Sequence, residues 1–236
     1  MFLSLNPDEA IISDKNPELI HTYLQVQHCA ELVHDATHRI ENNRDNYYRI
    51  RSLDPLTLAP VDRAARFIFL NRFCFNGLYR TNKKGQFNVP YAPTKSGELP
   101  SIEVFLAVAE RLKKATVLCC DFQDVLLSHA KQGDMVFLDP PYLSEQTRIF
   151  SQYGPDGFTL DDLERLKITM RELEKRSVDF VLSYTMEDYV VDEFSEWNQI
   201  EVTTKRNISG KSTHRKTVSE VLITNIEASH LMNKAG

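Results

Sequence analysis

The residues with the clearest chemical potential are Asp139-Pro140-Pro141-Tyr142, which follow the short apolar segment 135–138. The apolar segment has the length of a buried parallel β-strand. Two consecutive prolines cannot continue a strand, so the chain must turn at the carboxyl end of this one. Open α/β sheets bind their ligands at that end of their strands. The four residues are therefore candidates for a functional site.

These residue types suit the binding of an amino group on a flat heterocycle. The carboxylate of Asp139 and the backbone carbonyl of Pro140 accept hydrogen bonds from N–H groups, and Tyr142 can stack on a ring. The alternative is an ordinary turn in which Tyr142 packs on a neighbouring loop. The strand before the turn and the flanking Asp and Tyr favour the functional interpretation.

The distribution of charge predicts a polyanionic partner, although the whole chain carries a net charge of −5. Residues 72–95 and 203–217 contain ten of the 28 lysine and arginine residues and no acid, which leaves 18 basic against 33 acidic residues elsewhere. Two acid-free basic segments on an acidic body form a local footprint for nucleic acid. The alternative is two solvated loops, which is a weaker explanation for both segments together than for either alone.

Composition limits the remaining possibilities. With 236 residues, of which 42% are hydrophobic, the chain can form one α/β domain with an inserted subdomain. No run approaches 18 apolar residues and the N-terminus lacks a signal pattern, so we expect a cytoplasmic protein without a membrane span. The four cysteines show no Cys-x-x-Cys spacing and the seven histidines are scattered, so we expect reduced thiols and no metal site.

Strand and helix signals alternate along the chain and predict an α/β fold. Short apolar runs predict strands that end near residues 14, 120, 138 and 183, and a final antiparallel hairpin is predicted from residues 199–204 and 218–224. Caps and periodicity predict helices after Asn16-Pro17, over residues 61–73, after Ser101, over residues 123–131, and from Thr159 to about Arg176. Residues 143–158 are expected to form a loop and residues 227–236 a flexible tail.

Two further acids lie at predicted strand ends. Asp14 precedes a helix at the position where nucleotide-binding α/β folds hold ribose hydroxyls. Asp121 stands beside Phe122, so its carboxylate can meet a purine amino group while the phenyl ring covers the base. The alternative for Asp121 is a cap for the following helix, which the local sequence favours about equally. All three residues are cofactor-binding candidates.

Residues 73–91 interleave aromatic and basic side chains with Asn-Gly and Lys-Gly turn signals, which predicts a loop and a β-hairpin. Such a segment suits nucleic acid, because arginine and lysine bind phosphates and guanine, asparagine binds base edges, and apolar side chains wedge between bases. The alternative is a hairpin that packs its aromatic rings on the body of the protein, and both interpretations can hold at once.

Taken in order, these motifs resemble the Dam family of DNA adenine-N6 methyltransferases, from the first residue to about residue 225. The resemblance rests on Asn-Arg-Phe-Cys-Phe-Asn-Gly-Leu-Tyr-Arg at 71–80, Gly-Gln-Phe-Asn-Val-Pro at 85–90, Cys-Asp-Phe at 120–122 and Asp-Pro-Pro-Tyr at 139–142. Lys-Arg-Asn-Ile-Ser at 205–209 and Thr-His-Arg-Lys at 213–216 follow. Asp-Pro-Pro-Tyr is shared with other amino-group methyltransferases, whereas the motifs at 71–80 and 85–90 resemble this family's own target-reading hairpin.

The resemblance implies a Rossmann-like sheet that binds S-adenosyl-L-methionine (AdoMet), formed by residues 1–50 and 114–226 and ending in an antiparallel hairpin. Residues 51–113 would form an inserted target-recognition subdomain of helices and a β-hairpin. The resemblance implies AdoMet as methyl donor and double-stranded DNA as partner, with transfer to N6 of an adenine flipped out of the duplex. GATC is the expected site, and a monomer without metal is expected.

The same resemblance assigns roles to individual residues. Asp139, Pro140, Pro141 and Tyr142 are the catalytic candidates, and Asp139 with Asp14, Asp121 and Phe122 would hold AdoMet. Arg80 matches a position that reads guanine. The residues expected to bind DNA are Phe75, Asn76, Leu78, Arg80, Asn88, Pro90, Lys205, Arg206, Ser209, Arg215 and Lys216.

Two elements of the resembled family are not found in the sequence: a Lys- and Gly-rich AdoMet segment, and the first strand with its glycine loop. Without them, we expect a mid-sheet strand that lacks a partner and an exposed apolar face. A truncated, catalytically inactive DNA-binding remnant is therefore one alternative function. A methyltransferase for cytosine N4 or for guanine N2 of ribosomal RNA is another, against which the target-reading hairpin argues.

Overall fold

A computed structural model of the chain describes residues 1–92, 98–141, 158–186, 188–204 and 218–227. The chain divides into two compact units, Met1–Phe122 and Gln123–Gly236. Within the described ranges, no helix is long and apolar enough to cross a membrane. Some predicted site residues lie outside the described residues, namely Tyr142, Lys205, Arg206, Ser209, Arg215 and Lys216.

The first unit contains two parallel strands that are separated in sequence by a series of helices. A short helix, α1 (Phe2–Leu5), precedes strand β1 (Ala10–Asp14), which pairs in parallel with β2 (Ala115–Cys119). A parallel pair needs a crossover connection, and helices supply it here. These helices are α2 (Pro17–His38), α3 (Arg44–Ser52), α4 (Pro60–Phe73) and α5 (Ile102–Leu112).

Helix α2 begins where the sequence predicts it, directly after β1. The side chain of Asn16 accepts hydrogen bonds from the backbone N–H groups of Glu18 and Leu19 at 3.0 and 3.3 Å, and Pro17 is the first helical residue. The buried stripe of α2 joins one hydrophobic core with α4, α5 and β2, and it includes Ile20, Val26, Ala30 and Val33. The cap and the buried stripe together fix the point at which β1 ends.

A second core in the same unit joins α3, α4 and the segment that follows α4. It consists of Tyr47, Ile50, Phe69, Leu70, Phe73, Cys74, Phe87 and Val89. The predicted hairpin is present, but its described residues form isolated bridges at Cys74–Tyr91 and Thr81–Phe87 instead of long paired strands. Phe87 and Val89 are buried in this core and thereby pack the segment on the helices.

The second unit contains a mixed four-stranded sheet in the order β3-β4-β6-β5. Its strands are β3 (Met135–Leu138), β4 (Asp179–Thr185), β5 (Asn198–Thr204) and β6 (Val218–Thr224). Strands β3 and β4 are parallel, whereas β6 runs antiparallel to both β4 and β5. The predicted antiparallel pairing of the last two strands is therefore confirmed.

Three helices accompany the second sheet: α6 (Phe122–His129), which begins at the boundary of the two units, α7 (Leu160–Lys175) and α8 (Asp188–Glu193). Helix α7 starts with the predicted capping box, because the backbone N–H of Asp162 donates to Thr159 Oγ1 at 3.2 Å and the backbone N–H of Thr159 donates to the Asp162 carboxylate at 2.9 Å. Fully buried side chains of α7, β4 and β6 form the core of this unit: Leu166, Met170, Leu173, Phe180, Leu182 and Ile223.

Each sheet has an edge strand with exposed apolar residues. In the described part of the chain, β3 pairs on one side only, and its Met135 and Phe137 are 56% and 41% exposed. Among the described residues, strand β1 pairs with β2 alone, and its Ile11 is exposed. An edge strand leaves the backbone N–H and C=O groups on its outer side without a partner strand.

Candidate functional site

The carboxyl ends of β1 and β2 bring two acids that are distant in sequence to one edge of the first sheet. The parallel register places Asp14 beside Cys119, and the backbone N–H of Cys120 donates to the carbonyl of Asp14 at 3.3 Å. Asp121 follows directly, and its carboxylate lies 3.5 Å from Lys15 Nζ. Both acids therefore stand at the end of a parallel sheet where α/β folds bind ligands.

Asp14 is an exposed residue, but neighbouring atoms partly desolvate its carboxylate. Its surroundings withhold water and thereby raise the pKa of Asp14, while the backbone N–H of Asn16, which donates to Oδ1 at 2.7 Å, opposes the shift. A carboxylate with a raised pKa is a better acceptor for hydroxyl groups than an ordinary one. This is the property that a ribose-binding acid requires.

Asp121 and Phe122 offer an acceptor and an aromatic ring side by side. Both residues are half-buried, and Phe122 is the first residue of α6, so Asp121 occupies the position that a helix cap would also take. The side chain of Lys15 is 65% exposed, so its ion pair with Asp121 is weak and can open for a ligand. A carboxylate beside a ring fits the amino group and the face of an adenine. The residues at this edge therefore fit AdoMet.

Asp139 directly follows β3 in the second unit, as the sequence predicts. Leu138, the last residue of β3, is in register with Leu182 of β4, so Asp139 stands at the carboxyl end of a parallel pair. Asp139 is exposed, and Pro140 and Pro141 are half-buried. The arrangement leaves a carboxylate at the ligand-binding end of the strands, on a turn that the two prolines stiffen.

The segment after α4 exposes polar side chains on an apolar base. Its two ends are tied together, because the N–H of Phe75 donates to the Pro90 carbonyl and the N–H of Ala92 donates to the Phe73 carbonyl, both at 2.9 Å. Of the predicted DNA-binding residues, Leu78, Arg80 and Pro90 are exposed, and Phe75, Asn76 and Asn88 are half-buried. Phe87 and Val89 are buried, so the segment packs on the body of the protein and presents a polar surface at the same time.

The first turn of this segment depends on the Asn-Gly pair. Asn76 and Gly77 both adopt left-handed backbone, with φ of 55° and 63°, a region that asparagine and glycine tolerate best. The side chain of Asn71 donates to the Gly77 carbonyl at 2.9 Å and the thiol of Cys74 donates to the Leu78 carbonyl at 3.3 Å. These bonds fix the turn that leaves Leu78 41% exposed.

Cys74 is a structural residue and not an activated nucleophile. Burial raises the pKa of the Cys74 thiol to about 11, and hydrogen bonds with the backbone oppose the shift only partly. At neutral pH the thiol is therefore protonated, which makes it unreactive.

Tyr79 is a residue of this site that the sequence analysis missed. Its ring lies 5.6 Å from those of Phe67 and Phe87, and the side chain of Asn16 lies near its hydroxyl. Burial, and then the charge of Glu18, raise the pKa of Tyr79, while the side chain of Asn16 opposes the shift. Tyr79 therefore connects the target segment with the helix that follows Asp14. Side chains of an extended chain alternate in direction, so the inward position of Tyr79 between the exposed Leu78 and Arg80 could have been predicted from the sequence.

In the described ranges, no group of three or more histidine, cysteine, aspartate or glutamate residues is arranged to hold a metal ion.

Acid-terminated parallel strands, an Asp-Pro-Pro turn and an anchored aromatic and basic segment are typical of α/β methyltransferases that act on an amino group of a nucleic-acid base.

Comparison with known proteins identifies the family. The family model described as "D12 class N6 adenine-specific DNA methyltransferase" matches residues 1–208. The chain is 32% identical over 234 residues to type II methyltransferase M1.LlaDCHI of Lactococcus lactis subsp. cremoris, covering 95% of this chain and 82% of that protein. It is 31% identical over 228 residues to a DNA adenine methylase of Serratia marcescens, covering 94% and 84%. It is 33% identical over 235 residues to type II methyltransferase M.MjaIII of Methanocaldococcus jannaschii, covering 92% and 80%.

The chain therefore belongs to the D12 class of N6 adenine-specific DNA methyltransferases. The resemblance to DNA adenine methylases is confirmed, and the enzyme class is that of adenine-specific DNA methyltransferases. Membership of this class implies DNA as the substrate and AdoMet as the methyl donor. The α/β architecture predicted from the sequence is consistent with it.

Proposed function

We propose that this protein methylates N6 of the adenine in GATC, after flipping that adenine out of the DNA duplex. The observation that carries the proposal is the exposed Asp139, followed by the half-buried Pro140, at the carboxyl end of β3 in a chain of an adenine-specific family. The adenine must leave the duplex because an enzyme side chain cannot reach the amino group of a stacked, paired adenine.

In this proposal, Asp139 and Pro140 prepare the amino group for attack. AdoMet supplies an electrophilic methyl group on a sulfonium sulfur. The carboxylate of Asp139 and the carbonyl of Pro140 accept the two N6–H bonds, which orients the nitrogen and increases its electron density. As the new bond from N6 to the methyl carbon formed, the bond between that carbon and the sulfonium sulfur would break and leave S-adenosylhomocysteine, and one amino proton would leave along the hydrogen bond to Asp139. Transfer needs no covalent enzyme intermediate, in accord with the high pKa of Cys74. Stacking of the flipped base on Tyr142 remains part of the proposal.

The acids of the first unit are proposed to hold the cofactor. The exposed, partly desolvated carboxylate of Asp14 suits ribose hydroxyls, and Asp121 with Phe122 suits the adenine of AdoMet. The exposed Lys15 would move away from Asp121 when the cofactor enters.

The segment of residues 75–90 is proposed to read the target sequence. Arg80 is exposed and is assigned to a guanine, where a bidentate contact contributes about 1–3 kcal/mol of discrimination. Leu78 and Phe75 are assigned to the stack around the flipped base, and Pro90 to a base methyl. Asn76 and Asn88 are assigned to the DNA surface. Phosphate binding is assigned to the second basic segment, through Lys205, Arg206, Ser209, Arg215 and Lys216.

The proposal is tested by placing 2-aminopurine, which fluoresces when unstacked, at the target adenine. We expect fluorescence to rise when the protein binds a GATC duplex, and to stay low with a GTAC duplex or with the probe outside the site. An equal rise with GTAC would contradict the assigned sequence. Tight binding of GATC in a gel-shift assay without any rise would contradict base flipping.

A further inference from the structure

The returning chain of the target segment is held at its backbone carbonyls by α3, a helix to which no role in DNA recognition has been assigned. The carbonyl of Val89 accepts hydrogen bonds from Tyr47 Oη at 3.0 Å and from Arg51 Nη1 at 3.1 Å. Arg51 Nη1 also lies 3.4 Å from the carbonyl of Asn88. Two side chains of α3 therefore hydrogen-bond to two successive backbone carbonyls of the target segment.

Asn88, whose carbonyl lies near Arg51, also binds the proposed guanine-reading residue Arg80 through its side chain. Nε of Arg80 donates to Oδ1 of Asn88 at 2.7 Å, and the backbone N–H of Asn88 donates to the carbonyl of Arg80 at 3.0 Å. The side-chain bond occupies Nε and leaves the two terminal nitrogens as the fork that matches O6 and N7 of guanine. Asn88 thus fixes the direction in which the exposed Arg80 points.

Arg51 is itself held in place. Its guanidinium carbon lies 4.6 Å from the centre of the Tyr48 ring, and it is half-buried. The buried guanidinium of Arg66, on α4, donates to the carbonyls of Ile50 and Arg51, both at 3.0 Å. The end of α3 is therefore fastened to α4, and the contacts continue without a break from Arg66 to Arg80.

We propose that Arg51 is a specificity-positioning residue, which acts through Asn88 on the guanine contact of Arg80. This inference rests on the proposed function, in which Arg80 reads a guanine. A long, exposed arginine loses conformational freedom when it binds a base, and holding it beforehand reduces that loss. Loss of the hydrogen bonds from Arg51 to the carbonyls of Asn88 and Val89 should therefore weaken the contact of Arg80 with guanine more than it weakens DNA binding in general.

The test measures how much the N7 acceptor of guanine contributes to the affinity of the protein for DNA. A GATC duplex and the same duplex with 7-deazaguanine, which lacks N7, are titrated with the full chain and S-adenosylhomocysteine, so that no transfer occurs. The ratio of the two dissociation constants is the N7 penalty, and we expect it to be about 5-fold or more for the wild type. Arg80→Ala should have a penalty near 1-fold, which confirms that the penalty reports the contact of Arg80.

Arg51→Met is expected to reduce the N7 penalty at least about 2-fold, while affinity for the 7-deazaguanine duplex changes little. Asn88→Ala is expected to reduce the N7 penalty by a similar factor and also to lower affinity for both duplexes, because Asn88 is itself assigned to the DNA surface. Two conservative variants should restore the penalty. Asn88→Asp keeps the acceptor for Arg80 Nε, and Arg51→Lys keeps a donor for the Val89 carbonyl. Arg49→Met is the matched control, since Arg49 lies on the same helix and bonds to Asn46 instead of the target segment.

The outcomes separate this inference from the proposed function. If the wild type and Arg80→Ala have the same N7 penalty, the assignment of Arg80 is wrong, and the inference falls with it. If the wild type has the penalty and Arg51→Met keeps it in full, the positioning role alone is overturned. If Arg51→Met also unfolds at a lower temperature, the two duplexes distinguish the two roles. A purely structural role would lower affinity for both duplexes equally and leave the N7 penalty unchanged. A positioning role would lower the N7 penalty, and Arg51→Lys would restore it.

Discussion

The three carboxylates at strand ends differ in what their surroundings do to them. Asp14 is exposed but partly desolvated and has a raised pKa, Asp121 is half-buried and paired with an exposed lysine, and Asp139 is exposed on a proline-stiffened turn. The first two environments suit neutral hydrogen-bond donors such as hydroxyl and amino groups. The third suits a group that must meet an incoming base. Each difference leads to a separate expectation at the level of the residue.

Replacement of Asp139 should stop transfer without loss of DNA binding. Asp139→Asn keeps the size of the side chain but removes the negative charge that orients and activates the amino group, so we expect the transfer rate to fall by about 100-fold or more. Asp134→Asn is the control, because Asp134 lies at the other end of β3 and accepts from the N–H of Lys131 at 3.0 Å. Single-turnover transfer and gel-shift affinity are measured on both. A fall in DNA affinity that parallels the fall in rate would contradict the assigned role.

Replacement of Asp14 should separate stability from cofactor binding. Because the fold raises the pKa of Asp14, its ionised form is less favourable in the folded than in the unfolded chain, so the carboxylate lowers stability at neutral pH. That cost disappears as the pH falls below the ordinary pKa of 3.8. At pH 7, Asp14→Asn should therefore melt at or above the wild-type temperature, while its AdoMet affinity falls.

Thermal unfolding across a pH series and calorimetric titration with AdoMet measure the two effects. Asp8→Asn removes a fully exposed carboxylate from the same unit and should leave AdoMet affinity unchanged. A lower melting temperature for Asp14→Asn at pH 7, together with unchanged AdoMet affinity, would show that Asp14 is a structural acid.

Among the elements, the start of α7 gives the most direct stability prediction. Thr159→Ala removes the hydroxyl that accepts the N–H of Asp162, and we expect the free energy of unfolding to fall by about 1 kcal/mol. Asp161→Ala removes an acid from the same turn without touching the capping box, and should cost roughly 0.3–1 kcal/mol through the helix dipole. Urea unfolding compares them, and a larger loss for Asp161→Ala would contradict the role of the box.

Elements with local signals could be predicted from the sequence. Asn16-Pro17 and Thr159 with Asp162 marked the starts of α2 and α7 correctly, because a cap depends on residues within one turn. The strands ending at Asp14 and Leu138 were short apolar runs with an acid behind them, so the strand-end acids were placed correctly as well.

Helix α3 could not be predicted, for a physical reason. Its nine residues are mostly polar, with Tyr47 and Ile50 buried, and so short a helix is marginal by itself. Its end is stabilised by Arg66, which is distant in sequence. The hydrogen bond from Arg51 to the target segment and the proximity of Asn16 to Tyr79 were missed for the same reason, since both depend on tertiary contacts.

At the scale of the whole molecule, an acidic protein must bind a polyanion through local basic segments. The net charge is −5, yet Lys205 and Arg206 lie in an acid-free stretch. If both contact phosphates, Lys205→Gln with Arg206→Gln should weaken binding equally for GATC and GTAC duplexes, and lower the slope of log affinity against log salt by about 2. Lys131→Gln, on an exposed turn outside the basic segments, should leave the slope unchanged. A selective loss for GATC would instead indicate base reading.

The most direct test of the central claim is transfer itself. The purified chain is incubated with methyl-labelled AdoMet and a duplex holding one GATC, beside a matched duplex holding GTAC, and the digested nucleosides are separated. We predict label in N6-methyladenine from the GATC duplex alone. Label in cytosine, equal labelling of the two duplexes, or no label in either would contradict the claim that this chain is a GATC-specific adenine methyltransferase.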